Sequence, residues 1–323
     1  MIMKESIIKL CSVYKNYIWG GTKIRNILHK NSDNMDTIAE SWEISTHPAG
    51  RSVIAEGNYA GKPLNEYFDC VGWDKVGEYG KKYKSLPVLV KYIDAKSNLS
   101  IQVHPDDKFA RAVENDSGKN EIWYIVGADK GAFIYLGFKT AVTEEEVRKR
   151  IADNSLEELL NKVHVKKGEA YYIPAGTVHA VGKGCFICEI QQTSDVTYRL
   201  YDYGRVDAQG NPRELHIEKA LQVLDYNAFD LNKYSSRDIE HVGRYLGKML
   251  VEQDGCGFIK YEAEGDFVYA SSKERVAFAV VYGGKGTISC DGDSRKTSIG
   301  DTWMLTGQTI KFTGKCKAII IHL

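Results

Sequence analysis

Along the chain, apolar residues come mostly in short runs that alternate or continue for a few positions and then break at glycine, proline or asparagine. AYYIPAG, CFICEIQ, RVAFAVVYG and CKAIIIHL are of this kind, the pattern of β-strands separated by turns. Other stretches carry helical periodicity. Residues 143–163, TEEEVRKRIADNSLEELLNKV, place Val147, Ile151, Leu156, Leu159 and Leu160 at helical spacing, and residues 214–224, ELHIEKALQVL, do likewise. A further candidate is 106–118, DDKFARAVENDSG, closed by Gly118 near a helix C-terminus. The expected fold is mainly β with helical insertions at about 106–118, 143–163 and 214–224.

A weak internal repeat organises these elements. GEAYYIPAGTVHAV (168–181) lies over GDTWMLTGQTIKFT (300–313), and IVGADKGAFI (125–134) over VYGGKGTISC (281–290). The two spacings differ by the length of residues 140–163, so the first copy carries a helical insertion that the second lacks. Two antiparallel β units of the jelly-roll kind are expected, covering residues 1–235 and 236–323, with the boundary in NKYSSRDIEHVGR (232–244). In this alignment His179 meets Lys311 and Glu121 meets Ala277, so the second unit cannot repeat chemistry built on that histidine and acid.

Composition narrows the partners. The 43 basic and 43 acidic residues cancel, which speaks against a nucleic-acid or membrane-surface footprint. The N-terminal segment lacks the apolar core and cleavage site of a signal peptide, and no apolar run reaches the length that spans a bilayer, so a cytoplasmic protein is expected. Seven scattered cysteines, an odd count, read as reduced thiols. Cys185 and Cys188 sit three apart in a strand and should face opposite sides, which argues against a redox or zinc pair.

The segment LSIQVHPDD (99–107) sets Gln102 and His104 two apart, on one face of a strand, with Ile101 and Val103 on the other. Pro105 puts the pair at a strand end beside a turn. Alone, such a pair also suits an exposed glutamine and a turn histidine. GEAYYIPAGTVH, with Gly168, Pro174, Gly176 and His179, resembles the second cupin signature, although Lys183 stands where the general signature ends in asparagine. Glu121 opens the apolar strand of GKNEIWYIVG, where a carboxylate needs a partner to enter the core. Gln102, His104, Glu121 and His179 then offer an amide oxygen, two imidazoles and a carboxylate, a donor set that suits zinc with positions left open.

ESWEISTHPAG, LPVLVKYIDAKSNLSIQVHPDD, GKNEIWYIV, YYIPAGTVHAVG and QQTSDVTYRLYDYGR occur in an order that resembles the type I phosphomannose isomerases of the short bacterial form, over nearly the whole chain. The resemblance implies two cupin-like β units, the second without metal ligands, and one zinc ion on Gln102, His104, Glu121 and His179. It places the family's active-site arginine on Arg199 and lysine on Lys119, sugar-side acids on Glu189 and Asp195, and phosphate contacts on Ser100 and Arg205. The long helical insertion of the larger members is absent.

The implied reaction interconverts mannose 6-phosphate and fructose 6-phosphate through an enediol, with zinc as Lewis acid and Arg199 as a second fixed positive charge. Glu189 and Lys119 are both candidates for the general base. Trp19 is either a wall of the sugar site or core. A second reading is a zinc cupin that binds a sugar phosphate as a sensor without turnover; it would keep the ligands and could discard Lys119 and Arg199. The expected partner is a small sugar phosphate, with the chain a monomer or weak homo-oligomer.

Overall fold

The computed structural model describes residues 6–32, 34–206, 209–236, 257–264, 267–270, 275–307 and 309–323. Its frame is three antiparallel sheets in a mainly β architecture of two cupin-like units. A seven-stranded sheet runs in the order Ser235–Ser236, Ala170–Ile173, Glu121–Ala128, Cys185–Gln192, Val88–Asp94, Glu40–Ile44, Val13–Lys15. A five-stranded sheet runs Tyr198–Tyr201, Ile101–Val103, His179–Val181, Phe133–Phe138, Leu160–His164. An eight-stranded sheet contains the C-terminal strands.

Alternation along the central strands decides what packs where. In Glu121–Ala128 and Cys185–Gln192, the residues Ile122, Tyr124, Val126, Phe186, Cys188 and Ile190 join a core shared with Phe278, Val280, Met304, Ile319 and Ile321 of the C-terminal unit. The alternate residues Trp123, Ile125, Cys185 and Ile187 face Ile134, Leu136 and Val181 of the five-stranded sheet. Cys185 and Cys188 thus point to opposite layers, as their spacing predicts. The six cysteines among the described residues are free. Cys256 lies outside them.

The internal repeat is visible in the strand register. Ala170 pairs with Tyr124 and Ile173 with Glu121; the aligned positions Thr302 and Val280, and Leu305 and Ala277, are paired in the same way. The N-terminal strand Ile7–Cys11 adds to the C-terminal sheet, against Thr302–Leu305, so the chain crosses between the sheets at its start as well as beyond Ser236. Most of the segment expected to hold the boundary lies outside the described residues.

Helices cover the outer face of the five-stranded sheet, where Val147, Leu156, Ala220 and Leu221 pack on Ile101, Val103, Ala180 and Leu200. The stretch 143–163 is helical only over Glu144–Ala152, with Thr143 Oγ1 accepting from Glu146 N at 3.1 Å as the N-cap. Asn154 then takes a left-handed conformation (φ 55°), which ends the helix. The remaining leucines belong to a 3-10 turn, Leu156–Leu159, and an edge strand, Leu160–His164. Their spacing suits a helix equally well, because a helix and this turn-and-strand bury the same residues.

The helices at Asp107–Val113 and Ile217–Val223 fall within the expected stretches. Gly118 is not the helix cap: Glu114 ends the helix. A Cβ at Gly118 would stand 2.3 Å from Asp107 N, so glycine is required for the chain to return against its own helix start. Short helices at Lys23–Leu28, Leu64–Val71 and Glu78–Tyr83 carried no periodic signal long enough to read. Among the described residues no helix is long and apolar enough to cross a membrane.

Candidate metal centre and active site

The site lies between the two sheets of the first unit, each supplying a row of polar residues where the facing pattern is otherwise apolar. On the five-stranded sheet Gln102 is paired with His179 on one side and Arg199 on the other, so three cross-strand neighbours share one face. On the seven-stranded sheet Glu189 is paired with Trp123 and with Lys91. His104 follows the strand Ile101–Val103. Its carbonyl accepts from Gly176 N at 2.9 Å, and Gly176, at φ 87°, makes the reversal that delivers His179.

His104, Glu121 and His179 are fully buried and bring one donor atom each within 4.8 Å of the others. His104 Nδ1 and His179 Nδ1 each lie 2.8 Å from a backbone carbonyl, of Val196 and Thr177 respectively. A carbonyl can only accept, so both Nδ1 atoms carry the proton and both Nε2 atoms present lone pairs. Those Nε2 atoms face each other at 3.2 Å. Glu121 Oε2 has no hydrogen bond among the described residues and lies 3.7 Å from His179 Nε2.

Lone pairs converging in a buried space without a proton between them are stabilised by a cation. The residues fit a metal ion. Gln102 Nε2 is 3.3 Å from His179 Nε2 and 3.5 Å from His104 Nε2; the amide turned over would set its oxygen there instead, an assignment made from hydrogen bonding alone.

Burial and the neighbouring Lys119 push His104 down to about 3, and burial also lowers His179. Both imidazoles are thus held toward the neutral form, with a lone pair to offer. Burial alone would raise the Glu121 carboxyl, but Lys119 and the imidazoles hold it well below the usual range. Lys119 Nζ sits 2.7 Å from Glu121 Oε1 and 3.3 Å from His104 Nε2.

Above this cluster is a cavity of about 270 Å³ lined in part by Gln102, Lys119, Glu189, Asp195, Arg199 and Ser100. Glu189 is buried; its Oε2 accepts from Trp123 Nε1 at 2.8 Å and its Oε1 is 3.2 Å from Lys91 Nζ. Burial, then the Glu121 charge, pushes its pKa up to about 7, against the pull of Lys91 and Lys119. Ser100 Oγ accepts from Arg199 Nε at 3.2 Å and lies 3.4 Å from the amide atom of Gln102 that points away from the imidazoles; with the amide turned over, that atom is Nε2 and donates to Ser100. Trp19 lines the cavity, nearly covered, stacked on Tyr17 with ring centroids 5.3 Å apart. Asp195 is at the exposed rim.

Of the residues singled out in the sequence, Arg205 alone is away from both the cluster and the cavity wall; it is ion-paired with Asp202. Sequence reasoning missed Lys91, Glu40, Trp123 and Arg213, all on the cavity wall. Lys91 carried a readable signal, a charge in the middle of the apolar run VLVKYI, as did Glu121 in its own strand. Arg213 sits in a polar loop that offers none.

A family profile described as phosphomannose isomerase type I, catalytic domain, matches residues 7–131. A Bacillus subtilis protein named as a probable mannose-6-phosphate isomerase is 37% identical over 314 residues, covering 96% of this chain and 97% of its own. The chain belongs to the type I phosphomannose isomerases. A mannose-6-phosphate isomerase of Streptococcus mutans is 42% identical over 223 residues, 69% of this chain and 68% of its own. Among solved structures, a mannose 6-phosphate isomerase from Bacillus subtilis superposes with a TM-score of 0.83 at 30% identity, covering 99% of this chain and 100% of its own. A zinc-bound mannose 6-phosphate isomerase shares the fold with a TM-score of 0.76 at 14% identity, covering 98% and 99%.

Proposed function

We propose that the protein interconverts mannose 6-phosphate and fructose 6-phosphate through an enediol, with one zinc ion held by Gln102, His104, Glu121 and His179. The observation that carries the reading is the pair of imidazole Nε2 lone pairs, 3.2 Å apart beside Glu121, behind Gln102 and Lys119, which line a cavity whose walls also hold Glu189 and Arg199. When bound, zinc supplies a Lewis acid that polarises the sugar carbonyl and offsets charge on its oxygen. The relatives named as isomerases of this sugar phosphate support the substrate.

The chain's own residues divide the remaining work. An aldose–ketose interconversion moves one proton between carbons 1 and 2 and another between their oxygens. Glu189, with a pKa raised to about 7, is a carboxylate of suitable basicity to take and return the carbon-bound proton near neutral pH. Its hydrogen bond from Trp123 fixes one oxygen and leaves the other toward Lys91. Lys119, in a salt bridge with Glu121, is a donor of charge and hydrogen bonds, so the carbon proton falls to Glu189. Arg199 holds a fixed positive charge toward the developing oxyanion. Trp19 closes one side of the sugar space and Asp195 meets hydroxyls at the rim.

The test is a coupled assay of fructose 6-phosphate formation from mannose 6-phosphate deuterated at carbon 2. Conversion with measurable loss of deuterium to water is expected. No conversion by zinc-loaded protein contradicts the activity, and complete retention of deuterium at carbon 1 would replace the proton role of Glu189 by a direct hydride shift.

A further inference from the structure

Asp202 directly follows the strand Tyr198–Tyr201 and is buried. Both its carboxylate oxygens are taken by arginines. Arg213 Nε donates to Oδ2 at 2.7 Å and Arg213 Nη2 to Oδ1, which also accepts from Arg205 Nη2. The two arginines differ in what they have left. Arg205 further donates from Nε to the Asp202 carbonyl at 3.2 Å and from Nη1 to the Asn98 carbonyl, so all three of its nitrogens are committed within the protein.

Arg213 makes no hydrogen bond from Nη1 to the described residues. It lines the cavity of about 270 Å³ and also an adjoining outer cleft of about 660 Å³ that includes Lys96, Ser97 and Tyr17. Among the described residues, Arg199, on the same cavity wall, is bonded only to neutral acceptors, Ser100 Oγ and the Glu214 carbonyl. The Asp202 carboxylate is thus bonded by two guanidinium groups, while Arg199 bonds no carboxylate among the described residues, which leaves positive charge on this wall for a phosphate dianion. The exposed carboxylates of Asp195 and Glu214 bond neither Arg199 nor Arg213. Burial, then the nearby Arg213 charge, disfavour the Arg199 cation, with Asp202 and Glu214 offsetting this only in part, and an arriving anion relieves the remainder.

We propose that Arg213 receives the substrate's phosphate group at the junction of the inner cavity and the outer cleft. Asp202 aims Arg213 by its two-point contact, and Arg205 braces Asp202 and is a positioning residue. The assignment rests on the sugar-phosphate reading above and moves the phosphate contact from Arg205, where the family resemblance set it, to a residue that no motif marks. A bidentate carboxylate leaves a guanidinium little freedom, so the remaining edge is presented already ordered.

Calorimetric titration of inorganic phosphate into the zinc-loaded protein tests this, alongside steady-state kinetics with mannose 6-phosphate, for wild type, Arg213→Ala, Arg213→Lys and Arg205→Ala. Arg213→Ala is expected to weaken phosphate binding about 10- to 100-fold and to raise KM more than it lowers kcat. Arg213→Lys should recover part of the loss, since it keeps the charge without the fork, and it carries the test if the alanine variant does not fold. Arg205→Ala should lose clearly less than Arg213→Ala. Phosphate affinity of Arg213→Ala within about twofold of wild type, or an equal or greater loss in Arg205→Ala, overturns the assignment. If wild type binds phosphate through Arg213 but does not turn over the sugar phosphate, the isomerase reading fails and this one stands. If it turns the substrate over and Arg213→Ala is unaffected, the reverse holds.

Discussion

Replacing Lys91 by methionine removes one cation from the cavity wall while keeping the length of the side chain. Lys91 Nζ lies 3.2 Å from Glu189 Oε1 and 3.4 Å from Glu40 Oε1, with all three side chains buried. Burial alone would favour the neutral amine, but Glu189 and Glu40 outweigh it and hold the ammonium charged. At an effective dielectric constant of about 20, a unit charge at 3.2 Å acts on the carboxylate with about 5 kcal/mol. Relaxation and entering water reduce this. About a third of it surviving would lift the Glu189 midpoint by roughly one pH unit.

Glu189 begins at about 7 and Lys91 is among the charges pulling it down, so removing Lys91 moves the midpoint up. A carboxylate base works only when ionised, so activity is gained as pH rises through that midpoint and lost as pH falls through it. The Lys91→Met variant should therefore lose about fivefold in kcat/KM at neutral pH and regain most of it toward about pH 9. The assay is a pH–rate profile of kcat/KM with mannose 6-phosphate for both zinc-loaded proteins. An acid limb in the wild-type position, or a loss that stays constant across pH, refutes the claim that Lys91 acts by setting the ionisation of Glu189.

Two other substitutions probe different parts of the account. Arg199→Ala is expected to lower kcat by about 10²- to 10³-fold, the usual cost of removing one donor from a developing oxyanion, with bound zinc unchanged by elemental analysis; wild-type turnover would remove Arg199 from the chemistry. Gly118→Ala should cost about 1–3 kcal/mol in chemical denaturation, because the added carbon would meet Asp107 N at 2.3 Å; an unchanged midpoint would mean that the loop leading to Lys119 yields without strain.

The strands and their facing residues were legible because a two-residue period leaves a clear mark, and Glu121 stood out as a charge in an apolar run. The order of motifs made His104, His179 and Gln102 candidates together, and the fold brings them to one place through cross-strand pairing that no local pattern encodes. The stretch 143–163 was misread as helix to its end since Leu156, Leu159 and Leu160 suit a helix as well as a turn and strand. Lys91 was marked by its charge within an apolar run, but its contacts with Glu189 and Glu40 on the flanking strands depend on sheet pairing that no local pattern encodes. Arg213 and Asp202 meet through a loop closure, which leaves no periodic trace.

Zinc content and turnover, measured on the same sample before chelation, after it and after zinc is restored, with His179→Ala treated in parallel, test the central claim most directly. The account predicts one zinc per wild-type chain, loss of metal and of mannose 6-phosphate conversion together, recovery of both on adding zinc, and neither in His179→Ala. Full turnover by metal-free protein, or by His179→Ala, would contradict it.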